Sequence, residues 1–286
     1  MATREKIKLT SYDELLGVPS DGTKEIDISK LTTFKNHPFK VLEDEKMDSL
    51  VESIKENGVL APILVRKSSG DKYEIISGHR RKRACEIAGI SKIPAIIKDL
   101  DDDEAIILMV DSNIQREEIL PSEKAYAYKM KLEALSHQGL KKDGGESADQ
   151  IAEAEGIGQR QVYRYIRLTN LVPELLDLVD EKKLTMVMAI DISYLAKDLQ
   201  EAIYESIMNG KQPTKEDIAF IKRNTETITV QDIEDLMSPE QETVKKAINV
   251  TIKQNKLQEY FPPGYSKKEM EDVIYSLLDK WREGKD

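Results

Sequence analysis

The spacing of apolar residues changes near residue 100, and the change divides the chain into two kinds of structure. Before it lie short apolar runs at 62–66 (PILVR), 72–76 (KYEII) and 93–97 (IPAII). Each is strand-length and too short for a stable helix. Ser68-Ser69-Gly70-Asp71 between the first two is turn chemistry, so that pair reads as a hairpin. Ahead of it, Met47, Leu50, Val51 and Ile54 recur at i, i+3, i+4 and i+7, one face of a helix over 43–57. Glu43, Asp44 and Glu45 sit at its start, where the helix dipole favours anions, and Gly58 follows as a stop. A second helix is expected over 79–88, with Gly89 past its end. The order helix, strand, strand, helix, strand makes an α/β unit. Residues 1–25 are polar and weakly periodic and read as a mobile leader.

Beyond residue 100 the period is helical. Helices are expected over 104–112 and 121–137, the latter with proline at its first position. The segment 139–146 (GLKKDGGE) reads as a flexible connection. Helical periods recur from 147 to about 223. The tail reads as one strand (INVTI) and one helix from 267, whose Met270, Val273, Ile274, Leu277 and Trp281 share a face. The expected fold class is α+β, mostly α. An α/β domain covers 26–115, an all-α domain 116–235, and a small strand-helix piece 236–286.

Composition excludes several classes. No run approaches ~20 consecutive apolar residues, so no membrane-spanning helix is expected. The N-terminus, MATREKIKLT, lacks an apolar h-region, so the expected location is the cytoplasm. One cysteine, Cys85, makes no disulfide framework and reads as a small core residue. His37, His79 and His137 are too scattered for a zinc site.

The formal net charge of −10 argues against nucleic acid as a partner unless the basic residues are gathered locally. They are. Residues 99–104 (DLDDDE) carry five carboxylates, and 225–242 carry six with no Lys or Arg. By contrast, residues 77–98 hold six basic residues and one acidic residue, Glu86.

Residues 147–169 read SADQIAEAEGIGQRQVYRYIRLT. Ser147 with Gln150 is a capping-box pattern for a helix start. Ala152 is small enough for close helix approach, Gly156 suits the interhelical turn, and Ile157 and Val162 supply core contacts to the next helix. This is the spacing of a DNA-binding helix-turn-helix. The second helix carries Gln159, Arg160, Gln161, Tyr163, Arg164 and Arg167 and no acid. Arg suits guanine edges and phosphates, and Gln suits adenine edges. An ordinary helical hairpin with a solvated basic face is the alternative.

Residues 75–83 read IISGHRRKR. A strand ends, Ser77 and Gly78 turn, and a helix begins with its free backbone N–H groups forward, an anion site. Arg80 and Arg81 add bidentate phosphate donors at the same mouth. A basic surface helix with a Ser N-cap, or one that touches DNA phosphates directly, is the alternative. A second polar cluster, DSNIQRE at 111–117, ends an apolar helix.

SGHRRKRA, then SNIQREEILPSEKA, then a helix-turn-helix, in this order, resemble the ParB family of partition proteins and the related nucleoid-occlusion factors. The resemblance runs from about residue 26 to 195, and the tail resembles ParB variants of mobile elements. It implies a dimeric clamp that binds a palindromic duplex and uses CTP with Mg²⁺ to close around DNA. A ParA-type ATPase is the implied protein partner, and the nucleoid the implied location. Carried over, Ser77, Gly78, His79, Arg80 and Arg81 cradle the triphosphate. Ser112, Asn113, Gln115 and Arg116 make further phosphate contacts, with Asn113 as the metal contact. Gln159, Arg160, Gln161, Tyr163, Arg164 and Arg167 meet DNA.

Two departures bear on chemistry. The family's metal-ligating Glu is Ser112, and its Gln-Pro-Arg before the first helix is His37-Pro38-Phe39. Mg²⁺ favours oxygen ligands, so CTP binding is expected over efficient CTP turnover, and any CTPase would be weak. A transcription or nucleoid-occlusion regulator with the same modules is the alternative. A ParB-fold nuclease or phosphotransferase is another, and it requires a clustered carboxylate site. Peroxiredoxin repair, as in the related sulfiredoxins, requires a cysteine where this chain has Gly78.

Overall fold

A computed structural model describes residues 22–114, 116, 119–137, 145–225, 227–237, 260, 261, 264 and 266–283. The chain divides into two units, Met1–Met237 and Ser238–Asp286.

The first unit opens with five strands and two helices. These are β1 (Thr23–Asp27), β2 (Leu31–Thr33), α1 (Glu45–Asn57), β3 (Ile63–Lys67), β4 (Tyr73–Ser77), α2 (His79–Ala88) and β5 (Lys92–Lys98). They form one mixed sheet in the order β1-β5-β3-β4-β2. The β3/β4 hairpin is antiparallel, while β3 runs parallel to β5. The central strand β3 alternates. Ile63 and Val65 face α1 and α2 with Met47, Val51, Ile54, Ala84 and Cys85. Leu64 faces the opposite side with Ile76 and Ile96, against the next helix. Period-two patterning in a strand covered on both faces accounts for the continuous apolar run. Cys85 is fully buried in the first of these layers, as expected of a small core residue.

Helices then follow: α3 (Asp102–Ile114), α4 (Pro121–His137), α5 (Gly145–Glu155), α6 (Gln159–Leu168), α7 (Pro173–Asp180), α8 (Met186–Ile192), α9 (Lys197–Met208), α10 (Lys215–Arg223) and α11 (Val230–Leu236). The outer face of the sheet, α3, α4 and the inward side of α5 and α6 share one apolar cluster, including Met109, Tyr128, Ile151, Ala152 and Val162. A second cluster packs α7 to α11. The second unit holds α12 (Lys267–Glu283). The expected INVTI strand, the connection 138–144 and residues 1–21 lie outside the described residues.

Two expectations change. The leader is shorter than its composition implies, for Thr23 already pairs with Ile96 and Ile26 with Ile93. Backbone pairing to β5 makes a strand that composition conceals. The capping box at Ser147 does not form, because α5 starts earlier, at Gly145, and Ser147 is a buried interior residue whose Oγ has no partner.

The α/β layer is tied to α4 by a buried carboxylate. Glu123 accepts from the Lys40 N–H (2.7 Å) and from the Leu120 N–H (3.1 Å). Ser122 beside it bonds both oxygens of Asp180 on α7. Glu123→Ala leaves two N–H groups without their acceptor, and its expected cost is about 2–4 kcal/mol in urea unfolding. A cost below about 0.5 kcal/mol would show that the carboxylate does not hold the layers together.

Candidate nucleotide pocket and nucleic-acid interface

The turn from β4 into α2 has only one residue that fits. Gly78 adopts φ 108°, and a Cβ there would sit 2.5 Å from Ile63 Cγ2. Glycine alone relieves both the left-handed backbone and the contact with β3. No side chain caps α2 at Gly78. The N-cap residue thus leaves the first-turn N–H groups and the positive end of the dipole without a cap of its own, as an anion site requires.

A cavity of about 500 Å³ opens at this turn. Ser77, Gly78, Arg80 and Arg81 line one side, and Ser112, Asn113 and Arg116 from the end of α3 line another. Two motifs more than thirty residues apart therefore meet around one space, with three guanidinium groups on it. Arg80 is braced by Asp44, the N-cap of α1, at 2.9 Å. That pairing holds the Asp44 carboxyl below its ordinary range. Arg81 donates to the Ala61 carbonyl (2.9 Å) and to that of Pro62. The third wall, missed in the sequence, is apolar: Leu50, Ile54, Val59 and Leu60. Its only signal was the break in the helical pattern at Gly58.

His79 does not join this site. The resemblance groups it with the phosphate ligands, but its side chain is buried, its ring tilted 46° to that of His37 with the centroids 3.9 Å apart. His79 is absent from the residues lining the cavity. The His37 Nδ1–H donates to the Phe39 carbonyl (2.8 Å), and the Nε2 atoms of both rings are buried without partners. Arg116 lies 5.7 Å from the Phe39 ring. His37, at one of the two departures, thus packs against His79. Gln115 lies outside the described residues.

The metal contact is thin. Asn113 is buried, and its amide nitrogen donates to the Met109 carbonyl (2.7 Å). Its amide oxygen is the one hard ligand it offers, and the Ser112 hydroxyl also donates to Met109. Among the described residues, no group of three or more His, Cys, Asp or Glu could hold a metal ion. These residues do not by themselves make a magnesium site.

The helix-turn-helix is built on Gly156, in the left-handed region at φ 64°, between α5 and α6. Ile151 and Ala152 of α5 and Val162 of α6 are buried together. The opposite face of α6 shows Arg160 and Tyr163 as exposed and Gln159, Gln161 and Arg164 as half-buried. Arg167 is fixed. It donates to the Ser193 carbonyl (2.9 Å) and lies 3.8 Å from the Tyr194 ring centroid.

Comparison with known proteins decides the family. The ParB N-terminal domain matches residues 13–114, and the ParB HTH domain matches 117–226. The "Nucleoid occlusion protein" of Bacillus mycoides is 34% identical over 217 residues, which is 73% of this chain and 70% of that one. The chain belongs to the ParB family. The "Probable chromosome 1-partitioning protein ParB" of Deinococcus radiodurans is 37% identical over 175 residues, 60% of this chain and 57% of that protein. The chain thus spans less than two thirds of the length of that partition relative. The C-terminally truncated ParB of Caulobacter crescentus has been solved with the centromeric parS site (25% identity, TM-score 0.42, 72% of this chain and 100% of that one). It has also been solved with CTP-γ-S (29% identity, TM-score 0.32, 65% and 99%). No described helix is long and apolar enough to cross a membrane.

The histidine pair makes the stability of this chain acid-sensitive. Burial lowers His37 to about 4 and His79 to about 3, with Arg116 adding to both. Above pH 6.5 neither the folded nor the unfolded chain protonates them, so they cost nothing. Below it the unfolded chain takes up protons first, and stability falls towards pH 3. The expected loss at pH 5 is up to about 2 kcal/mol for each ring. Denaturant unfolding at pH 7 and pH 5 measures it, and His79→Phe should flatten the difference. An unchanged pH dependence in that variant would remove His79 as the cause.

Proposed function

We propose that this ParB-family chain binds double-stranded DNA through α5 and α6, and that a nucleoside triphosphate in the cavity at Gly78 gates it as a clamp. The observation that carries the reading is the meeting of the Ser77–Arg81 turn and the Ser112–Arg116 segment around one cavity with an uncapped helix start. Phosphates would sit on the α2 N-terminus and on Arg80, Arg81 and Arg116. The apolar wall of Leu50, Ile54 and Val59 would take the base. The family resemblance selects CTP. Mg²⁺ would arrive with the triphosphate, since it keeps waters and binds largely through phosphate oxygens, and Asn113 would add one protein oxygen. Without the family's carboxylate at Ser112, hydrolysis would be slow.

Gln159, Arg160, Gln161, Tyr163, Arg164 and Arg167 would meet DNA, with half-sites of a palindrome read by two copies. The second copy would join through α12, where Val273, Leu277, Leu278 and Trp281 are exposed. In this reading 26–115 is the nucleotide domain, 116–235 the DNA-binding domain and 236–286 the dimerisation piece. A ParA-type ATPase would be the partner in segregation, and the protein would be found on the nucleoid. The nucleoid-occlusion relative of Bacillus mycoides matches 73% of the chain, against 60% for the Deinococcus radiodurans partition relative. Chromatin immunoprecipitation separates a clamp, which spreads from its site, from a regulator, which peaks at a promoter.

Arg80→Ala should lower affinity for labelled CTP about 10- to 100-fold while short-duplex binding persists. Arg164→Ala should do the reverse. Equal loss of both activities in either variant would contradict two separate sites.

A further inference from the structure

Helix α4 carries a polar stripe through the apolar layer it shares with α3, α5 and α6. Lys124, Tyr128 and Lys131 follow at i, i+4 and i+7, so they lie on one face. Tyr128 is 1% exposed and Lys131 6%. Lys131 Nζ pairs with Asp111 of α3. Tyr128 Oη donates to Glu155 Oε2 of α5 (3.4 Å), and its ring meets that of Tyr165 on α6 edge-on, with the centroids 5.6 Å apart. Lys124 Nζ lies 5.8 Å from the same Tyr165 ring. Burial holds the Glu155 carboxyl above its ordinary range, against the pull of Lys131 and Lys124. Lys131 therefore serves two carboxylates, one on α3 that it pairs with and one on α5 whose charged form it favours. Stability alone does not call for a charge here. Ile114, Leu135 and Ile151 fill the same cluster with apolar side chains, and a buried ion pair is often matched by apolar residues of the same volume. What an ammonium adds is a choice of partner, since its three donors sit on a flexible stem.

The two carboxylates stand beside the two places on which function depends. Asp111 is followed by Ser112 and Asn113, which line the cavity at Gly78. Glu155 is followed by Gly156, whose left-handed backbone makes the turn of the helix-turn-helix. We infer that Lys131 is a positioning residue that joins the last turn of α3 to the turn before α6, so that occupancy of the cavity and occupancy of the helix-turn-helix bias one another through it; the inference rests on the two-site reading above. A polyanion on Ser112, Asn113 and Arg116 draws on the end of α3, where Asp111 stands. As the Asp111 pair loosens, the Lys131 ammonium turns towards Glu155 at the foot of Gly156. Coupling between distant sites requires an element with two arrangements that both sites bias, and a buried lysine with two carboxylates is such an element. The effect is reciprocal: a duplex that shifts Glu155 changes the affinity for the nucleotide by the same factor.

The test uses the full chain and fluorescence anisotropy. A labelled duplex, selected by the parent chain from a random library, is titrated without CTP and with saturating CTP and Mg²⁺. The ratio of the two affinities measures the linkage, and in the parent it should differ from one by about 5- to 150-fold. Lys131→Met keeps an unbranched stem and removes the charge. It should bring the ratio towards one by about 2- to 30-fold, while the affinity for each ligand alone stays within about twofold. Asp111→Asn, at a half-exposed side chain, should move the ratio the same way, and it decides the matter if Lys131→Met fails to fold. A parental ratio in the folded variant would assign the lysine to packing alone and overturn the inference. So would a fall in both single-ligand affinities with the ratio kept. A parent that binds both ligands with a ratio of one would overturn it as well, leaving the two sites in place. A parent that binds no CTP or no duplex would end the two-site reading itself, an outcome distinct from the others.

Discussion

Where β4 hands the chain to α2, the residue must lack a side chain, because Ile63 of the neighbouring strand occupies the place of its Cβ. The contact serves two ends. It lets the sheet close tightly, with Ile63 fully buried at the centre of the layer that α1 and α2 cover. It also sets the start of α2 directly on the strand ends, with an N-cap residue that has no side chain to bond its N–H groups. Were that start capped by a serine or aspartate, the same helix would be satisfied internally and have no need of an anion. The cavity is thus a by-product of how the sheet packs.

Much of this was legible because it depends on local rules. The hairpin at Ser68-Ser69-Gly70-Asp71, the helix stop at Gly58 and the interhelical glycine at 156 each follow from turn chemistry or helical period, and each stands where it was expected. What escaped depends on partners far away in sequence. β1 reads TKEID, a polar segment that becomes a strand because β5 offers it a ladder. Ser147 has the form of a cap, but the helix begins two residues earlier. His79 follows the glycine of an anion turn and looks like a ligand. Only the contact with the His37 ring, forty-two residues away, shows that its own ring is packed inside. The apolar wall at Leu50 and Val59 belongs to the same class, since nothing in a helical face says which cavity it will border.

The acidity of the chain gains its meaning at the level of pairs. Several cations of the α/β domain are matched: Asp44 braces Arg80, Glu43 and Glu86 hold Arg83, and Glu74 and Asp102 hold Arg66. Exposed pairs of this kind add little stability. Their consequence is placement, because a guanidinium already held at a fixed angle would lose less freedom to an incoming anion. The helical domain uses a different device. There Arg167 is positioned by a serine carbonyl and a tyrosine face, neither of which neutralises it. A carboxylate partner would have positioned the group equally well and cancelled its charge towards a polyanion. Pairing in the α/β domain and neutral bracing in the helical domain let a chain of net charge −10 keep uncancelled positive charge at Arg167 on α6.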